Sequence, residues 1–310
     1  MRSRPQPRRL RVFCSLLCWI GALGAGWPQA AGQEPQQSGR GESYYQLALE
    51  QFRQNQFRQA NRLAQMALSQ DEQNSAYHHL YGLTLAAVER PFEAVGHLQR
   101  AIQLEAGNPG LHNDLGVVLL RAGRNEEALS AFKQAVELDP DYLTARLYLG
   151  RLYHNSSRSD LAMEQFRAIS LRDPRFPGVH YHLAKIYLNN GQPEDARDAL
   201  LSEVRLYPQN ALAQMELGEV LLQMGETDQG LTHLHTAKQL EPRLPRLHLL
   251  LAKGYRESGR MQEALEAALE EVRLQPQDAA ARYLLAQLYR DSGEPEKAAE
   301  QLKKFQELRN

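Results

Sequence analysis

The most constraining feature of the sequence is a 34-residue repeat that runs from about residue 41 to the C-terminus without insertion or deletion. With Gly41 as repeat position 1, the eight copies start near residues 41, 75, 109, 143, 177, 211, 245 and 279. Positions 8 and 20 hold only alanine or glycine. At position 8 they are Ala48, Gly82, Gly116, Gly150, Ala184, Gly218, Ala252 and Ala286. Side chains this small are required where two helices approach most closely.

Prolines and glycines predict where these helices begin and end. The prolines beyond residue 42 occupy only repeat positions 1, 17 and 32. Proline fits the first turn of a helix but not its interior, so positions 1 and 17 are predicted first-turn positions and position 32 a stop. Glycine at position 15 in five copies predicts a left-handed turn. Each repeat is therefore predicted to be helix A, a tight turn, helix B and a short break.

The third and fourth repeats carry a pattern of large and small residues at fixed positions. They read Leu115, Gly116, Leu119, Ala128, Phe132, Ala135 and Pro140, and then Leu149, Gly150, Tyr153, Ala162, Phe166 and Pro174. This pattern closely resembles the tetratricopeptide repeat, over roughly residues 41–310. The resemblance implies an all-α fold, a right-handed superhelical solenoid of antiparallel helix pairs over residues 43–310. A single 34-residue hairpin is too short to fold alone, so each must pack on its neighbours.

Two departures from the family pattern lie in the second half of the repeat. The first two repeats have Glu72 and Ala106 where the third to seventh have proline at position 32. The family's usual alanine at position 27 is replaced in four repeats, by Ile169, Glu203, Glu271 and Phe305. Packing around position 27 is the least predictable part of the array.

The first 32 residues have the layout of a secretory signal peptide. Five arginines precede an uncharged run from Val12 to Trp27, and Ala30-Ala31-Gly32 follows. The run is shorter than the roughly 20 residues that cross a bilayer as a helix. Cleavage after Gly32 is the preferred prediction and an uncleaved membrane anchor the alternative. Residues 33–42 are polar and predicted to form a flexible linker.

The mature chain would be acidic and free of cysteine. Both cysteines, Cys14 and Cys18, lie in the apolar run, so no disulfide or thiolate site is possible beyond it. Removing five arginines and no acid from 36 basic and 37 acidic residues leaves a formal charge of minus six. Nucleic-acid binding requires a clustered positive excess and is not expected.

No constellation of residues indicates an enzyme, a metal site or a cofactor. His78, His112, His180 and His248 all occupy position 4, where the family often has an aromatic residue, so a half-buried packing role explains them. His233 and His235 are two residues apart and point to different faces of a helix. No phosphate-binding loop or nucleophile motif occurs.

The resemblance implies a concave groove lined by a stripe on the A helices, which in the family grips extended peptides or helices. The candidate groove residues are His79, Leu83, Asn113, Val117, Leu120, Leu147, Arg151, Tyr181, Lys185, Leu188, Met215, Glu219, Leu249, Lys253, Arg256, Tyr283 and Arg290. Exposed apolar residues in a row favour a bound protein segment. The basic residues among them favour an acidic ligand toward the C-terminal half. In the alternative interpretation, the apolar side chains pack between adjacent A helices.

These patterns predict an exported, periplasmic or extracellular scaffold that binds protein partners, in the assembly of envelope or secretion machinery. A carbohydrate-handling or regulatory subunit of a polysaccharide export or enzyme complex is the alternative, and a hydrolase in the groove a third. Membrane contact is expected only through an uncleaved N-terminal signal. The partner, the oligomeric state and the pathway stay open.

Overall fold

The computed structural model describes residues 38–309, and within them the chain is all-α with no strand. The sixteen helices of this range form eight consecutive antiparallel pairs, one for each repeat. The predicted fold class and the A-helix, B-helix order of each repeat are confirmed. The predicted signal peptide, residues 1–32, lies outside the described residues.

The helices fall into two compact units, divided in the sequence after Tyr142. The first unit holds three repeats, with A helices α1 (Ser38–Arg53), α3 (Ser75–Ala87) and α5 (Pro109–Arg121), and B helices α2 (Phe57–Leu68), α4 (Pro91–Leu104) and α6 (Asn125–Leu138). Helix α1 begins at Ser38, so residues 38–42, expected to be linker, belong to the first helix.

The second unit holds five repeats. Its A helices are α7 (Leu143–Asn155), α9 (Val179–Asn189), α11 (Ala211–Gln223), α13 (Leu247–Glu257) and α15 (Ala279–Asp291). Its B helices are α8 (Ser159–Arg172), α10 (Pro193–Leu206), α12 (Thr227–Leu240), α14 (Met261–Leu274) and α16 (Pro295–Arg309). Within this unit each A helix packs on the B helix of its own repeat, and α9, α11, α13 and α15 also pack on the B helix before them in the chain.

The small residues at position 8 make room for one large side chain from helix B. A Cβ atom on Gly116 would lie 2.7 Å from the ring of Phe132, and one on Gly218 would lie 2.6 Å from Cγ of Leu234. Both Phe132 and Leu234 stand at position 24 and are fully buried. The close helix approach predicted from the alanines and glycines is confirmed, and its cause is the position 24 side chain.

A left-handed residue occupies position 15 in every repeat, not only in the five with glycine. Asn55, Glu89 and Ser157 have φ of 61°, 62° and 59° at the positions where the others have Gly123, Gly191, Gly225, Gly259 and Gly293. The turn between helix A and helix B is therefore set by the backbone geometry of the hairpin. For Glu89 and Ser157 this conformation costs roughly 1–2 kcal/mol, whereas asparagine, as in Asn55, adopts it more readily.

The prediction that position 1 lies in the first turn of helix A is right for Pro109 and wrong for Pro177 and Pro245. Helix α5 begins at Pro109, whereas α9 and α13 begin two residues after their prolines. The residues that follow, Gly178 and Arg246, have φ of 80° and 68°. Proline followed by a left-handed residue is the geometry of a type II turn. This turn delays the start of the helix in the fifth and seventh repeats.

Candidate peptide-binding face of the A helices

The candidate residues lie along one side of the A helices, called here the A-helix face and made of repeat positions 2, 5, 6, 9, 12 and 13. In the first unit, Leu83 of α3 and Val117 and Leu120 of α5 are half-buried on it. In the second unit Leu147 of α7 and Leu188 of α9 are half-buried, and Tyr283 of α15 is exposed. These side chains offer apolar surface that a bound segment could cover.

Three candidate residues belong to the interior instead, so their prediction as groove-lining residues is wrong. Asn113, Met215 and Leu249 are only 5%, 4% and 6% exposed. Met215 and Leu249 lie in an apolar cluster that runs from α11 to α15. For these two the alternative holds: position 5 packs between neighbouring A helices and has no surface left for a ligand.

Contacts between basic and acidic side chains link neighbouring A helices across this face. In the first unit, His79 Nε2 lies 2.7 Å from Asp114 Oδ2. In the second unit, Lys185 Nζ lies 3.3 Å from Glu216 Oε1, and Arg246 Nη2 lies 2.6 Å from Glu219 Oε1. These pairs reduce the charge that the face can offer to a partner.

Arg256 makes the last of these links, between α13 and α15. Its Nη2 lies 2.8 Å from Asp291 Oδ2, and its Nη1 donates a hydrogen bond of 3.0 Å to Gln287 Oε1. Lys185 and Arg256, two of the five residues expected to give the C-terminal half of the face its basic character, are therefore paired with acids. Lys253 and Arg290 remain exposed, and Arg290 has only a 3.8 Å contact with Asp291.

Three of the four acidic partners in these pairs were missed from the sequence, and only Glu219 was among the candidate residues. Asp114 and Glu216 stand at position 6 and Asp291 at position 13, next to the stripe that the resemblance indicated. In the sequence such a pair is visible as a basic and an acidic residue about one repeat apart. Lys185 and Glu216, for example, are separated by 31 residues. Residues on adjacent A helices at this separation lie side by side.

The histidines at position 4 have a hydrogen-bonding role that joins successive repeats. Nε2 of His78, His180 and His248 lies 3.0, 3.2 and 2.9 Å from the carbonyl oxygen of residue 72, 174 and 242, at position 32 of the preceding repeat. In the sixth repeat Gln214 makes the same bond, at 3.2 Å. The packing role predicted for these histidines is confirmed for His78 and His248, which are buried.

The same position 4 side chains also bond to position 23 of helix B. His78 Nδ1 lies 3.0 Å from Nδ1 of His97, and Gln214 Oε1 lies 2.8 Å from Nδ1 of His233. Burial, and then the neighbouring His78, lower the pKa of His97. Among residues 38–309 no group of three or more histidine, cysteine or acidic side chains is placed to hold a metal ion.

No helix in the described range has the length and apolar character to cross a bilayer.

A family model described as tetratricopeptide repeat matches residues 113–177, 181–239 and 249–309, together more than half of the chain. No curated protein matches the chain in a sequence comparison.

Solved structures show the same fold. A tetratricopeptide repeat protein from Cytophaga hutchinsonii superposes with a TM-score of 0.60 at 15% identity, over 78% of this chain and 99% of that one. The Cut9–Hcn1 hetero-tetramer of APC/C gives a TM-score of 0.59 at 18% identity, over 81% of this chain and 50% of that one. YrrB, described as having an unusual peptide-binding site, gives a TM-score of 0.51 at 22% identity, over 59% of this chain and 95% of that one. The chain is a member of the tetratricopeptide repeat family.

Proposed function

We propose that this protein is an exported, non-enzymatic scaffold that binds segments of other proteins on its A-helix face. The observation that carries the proposal is the row of half-buried leucine and valine side chains on that face, since such a row leaves apolar surface in water until a partner covers it. An amphipathic helix or extended peptide that packs on apolar anchors is a common mode of recognition. YrrB, with its peptide-binding site, supports the use of this fold for peptides.

The site of action is proposed from the N-terminal sequence. The arginines, apolar run and small residues of 1–32 support export to the periplasm or the extracellular space, and a role in assembling envelope or secretion machinery there. The intact mass of the exported protein tests this step. Loss of residues 1–32 is expected, whereas the full-length mass in the membrane fraction would indicate an anchor.

Binding to the first unit is tested with a matched pair of substitutions in one repeat. Leu120→Asp places a charge on the A-helix face, and Leu138→Asp does so on helix B, where Leu138 is 43% exposed. Crosslinking followed by mass spectrometry on cells with each variant gives the readout. We expect extracytoplasmic partners to be lost with Leu120→Asp and retained with Leu138→Asp.

The second unit has an equivalent pair. Leu188→Asp charges the A-helix face of α9, and Leu171→Asp changes a residue of α8 that is 86% exposed. Circular dichroism of both variants controls for folding. If all four variants keep the partners of the unmodified protein, binding takes place elsewhere and the A-helix face is excluded.

A further inference from the structure

A polar contact between repeat positions 4 and 23 joins helix A to helix B in the second, fourth, sixth and eighth repeats. In the fourth and eighth repeats an arginine donates a hydrogen bond to a glutamine, at 2.9 and 3.3 Å. In the sixth, Oε1 of Gln214 lies 2.8 Å from Nδ1 of His233. Each of these pairs matches a donor with an acceptor. The second repeat has an imidazole at both positions, His78 and His97, and no other repeat does.

These two imidazoles face each other through the same ring atom. Nδ1 of His78 lies 3.0 Å from Nδ1 of His97, and Nε2 of His78 lies 3.0 Å from the carbonyl oxygen of Glu72. Because a carbonyl oxygen only accepts, Nε2 of His78 carries a hydrogen and its Nδ1 presents a lone pair. The hydrogen between the two rings is then supplied by Nδ1 of His97. A single hydrogen therefore joins two nitrogens of the type that binds metal ions.

Packing holds both rings in place. His78 is only 8% exposed, and its ring is stacked on that of His97 with centroids 5.3 Å apart and planes 28° apart. Tyr81, also buried, packs edge-to-face on His97 with centroids 4.6 Å apart. His97 itself is half-buried, so solvent reaches the pair from its side. Ligands that are ordered before binding lose little conformational entropy when an ion binds.

We infer that His78 and His97 form a binding site for a divalent transition-metal ion, with Cu²⁺ bound most tightly, and that this ion ties α3 to α4. Two nitrogens 3.0 Å apart both lie about 2.1 Å from an ion when the angle at the ion is roughly 90°, as in the tetragonal coordination of Cu²⁺. The ion replaces the shared hydrogen, and each ring turns slightly so that both lone pairs converge. The bond from Nε2 of His78 to a backbone carbonyl is the contact that commonly orients metal-binding histidines.

Two protein ligands leave the other coordination positions to water and to one nearby acid. Glu93 lies one turn before His97 on the same face of α4, where it pairs with Arg90. Its negative charge favours a cation beside His97. Burial and then His78 lower the pKa of His97, while Glu93 opposes them. Neutral imidazole is the form that binds metal ions, so His97 is available as a ligand at neutral pH. This site is separate from the A-helix face and goes beyond the proposed function.

Calorimetric titration with Cu²⁺ of the full chain, prepared without a polyhistidine tag, tests the site. We expect His97→Gln to weaken the tightest Cu²⁺ site at least ten-fold, since even the loss of an outer contact to a ligand costs roughly 10–100-fold. Glutamine at position 23 occurs in the fourth and eighth repeats, and circular dichroism checks that the variant is folded. His233→Gln, at position 23 of the sixth repeat, is the matched control and should leave this site unchanged. Zn²⁺ should bind more weakly than Cu²⁺, and Mg²⁺ should not bind.

A gain of binding tests the geometry directly. Gln214→His gives the sixth repeat the same two imidazoles, so the number of tight Cu²⁺ sites should rise by one. Cu²⁺ should also raise the Tm of the unmodified protein more than that of His97→Gln, because an ion that binds the folded state stabilises it. If His97→Gln binds Cu²⁺ as tightly as the unmodified protein, the ion binds elsewhere, the pair is a hydrogen bond alone and the inference is overturned. Equal binding of Mg²⁺ and Cu²⁺ would overturn it too, since imidazoles would not then be the ligands.

Discussion

Six A helices of this protein begin in one of two ways, and the comparison explains two of the four departures from alanine at repeat position 27. Four of them follow an asparagine or aspartate at repeat position 34, namely Asn74, Asn108, Asn210 and Asp278. Each of these side chains accepts a hydrogen bond from an amide of the first turn, as in the 3.0 Å bond from Gly110 to Asn108 Oδ1. This is the usual capping of a helix N-terminus by a short polar side chain.

The fifth and seventh repeats have Phe176 and Leu244 at position 34, so they have no such cap. Both then carry proline at position 1, a left-handed residue at position 2 and glutamate at position 27. In the seventh repeat, Glu271 of helix B is buried against the start of α13. Its Oε1 accepts a 3.2 Å bond from the Arg246 amide and its Oε2 a 3.2 Å bond from the Leu249 amide. The cap comes from the other helix of the hairpin.

Glu203 occupies the same place in the fifth repeat, with weaker hydrogen bonding. It is as buried as Glu271, and its Oε1 accepts a 3.1 Å bond from Asn210, while Oε2 has no partner of good geometry. Burial raises its pKa, and the nearby amides of Tyr181 and Gly178 oppose that rise. In these two repeats, glutamate in place of the family's alanine at position 27 compensates for a missing cap at position 34.

The largest expected effect comes from removing the buried cap. Glu271→Ala restores the family residue but leaves two buried amides without acceptors and opens space beside them. Since an unsatisfied buried polar group costs roughly 1–3 kcal/mol, we expect a loss of about 3 kcal/mol in the stability of the seventh repeat. Hydrogen exchange of the α13 amides measures it locally, which suits a repeat array that does not unfold in two states. Glu270→Ala, at the half-buried neighbouring residue that pairs with Arg273, is the control.

A swap of the two capping modes sharpens this test. In the Glu271→Ala background, Leu244→Asp with Pro245→Ala supplies the cap that the other repeats use. Recovery of α13 protection would show that the two arrangements are equivalent. If Glu271→Ala leaves the hydrogen exchange of the α13 amides unchanged, Glu271 does not cap this helix and its burial has no structural explanation.

A smaller effect is expected from the ordinary cap. Asp278 accepts amide hydrogen bonds from Ala280 at 2.8 Å and Ala281 at 3.2 Å, at the edge of the protein where water can replace it. Asp278→Ala should therefore cost about 1 kcal/mol. The midpoint of chemical denaturation and exchange in the first turn of α15 measure the change. Asp278→Asn should keep most of the stability. If Asp278→Ala costs as much stability as Glu271→Ala, the two capping modes do not differ in strength.

The sequence predicted the hairpins but not the second capping mode, and the reason is physical. Alanine at position 20 and proline at position 32 act within one hairpin, so their spacing is visible in the chain. Glu271 and the amide of Arg246 are 25 residues apart and meet only after the hairpin has formed. The same applies to the A-helix face, where Asp114 and Glu216 contact candidate residues about one repeat away. Met215 and Leu249 show the remaining limit, since periodicity alone does not separate a groove position from a position packed by the next helix.

The pH dependence of stability tests the burial of Glu203. Burial raises the pKa of Glu203 in the folded protein above its unfolded value, so the folded state favours the protonated form. Stability from this group is complete below the ordinary glutamate pKa and falls as the pH rises through the raised value. The unmodified protein should thus lose stability relative to Glu203→Gln between about pH 4.3 and the raised pKa. Denaturation midpoints of both proteins across this range provide the measurement, and parallel curves would contradict the assignment.

The smallest expected effect concerns repeat position 2, where the two turns differ. Gly178 adopts its left-handed conformation freely, and a Cβ there would meet nothing within 4 Å, so Gly178→Ala should cost about 1 kcal/mol from backbone strain alone. Arg246 bears that strain already, at φ 68°, and also pairs with Glu219. Arg246→Gly relieves the strain and loses a surface ion pair worth roughly 0–1 kcal/mol, so the net gain should be a few tenths of a kcal/mol. If Arg246→Gly is instead strongly destabilising, the side chain and not the turn holds the seventh repeat. Glu219→Gln, which breaks the ion pair and leaves the backbone unchanged, separates the two contributions.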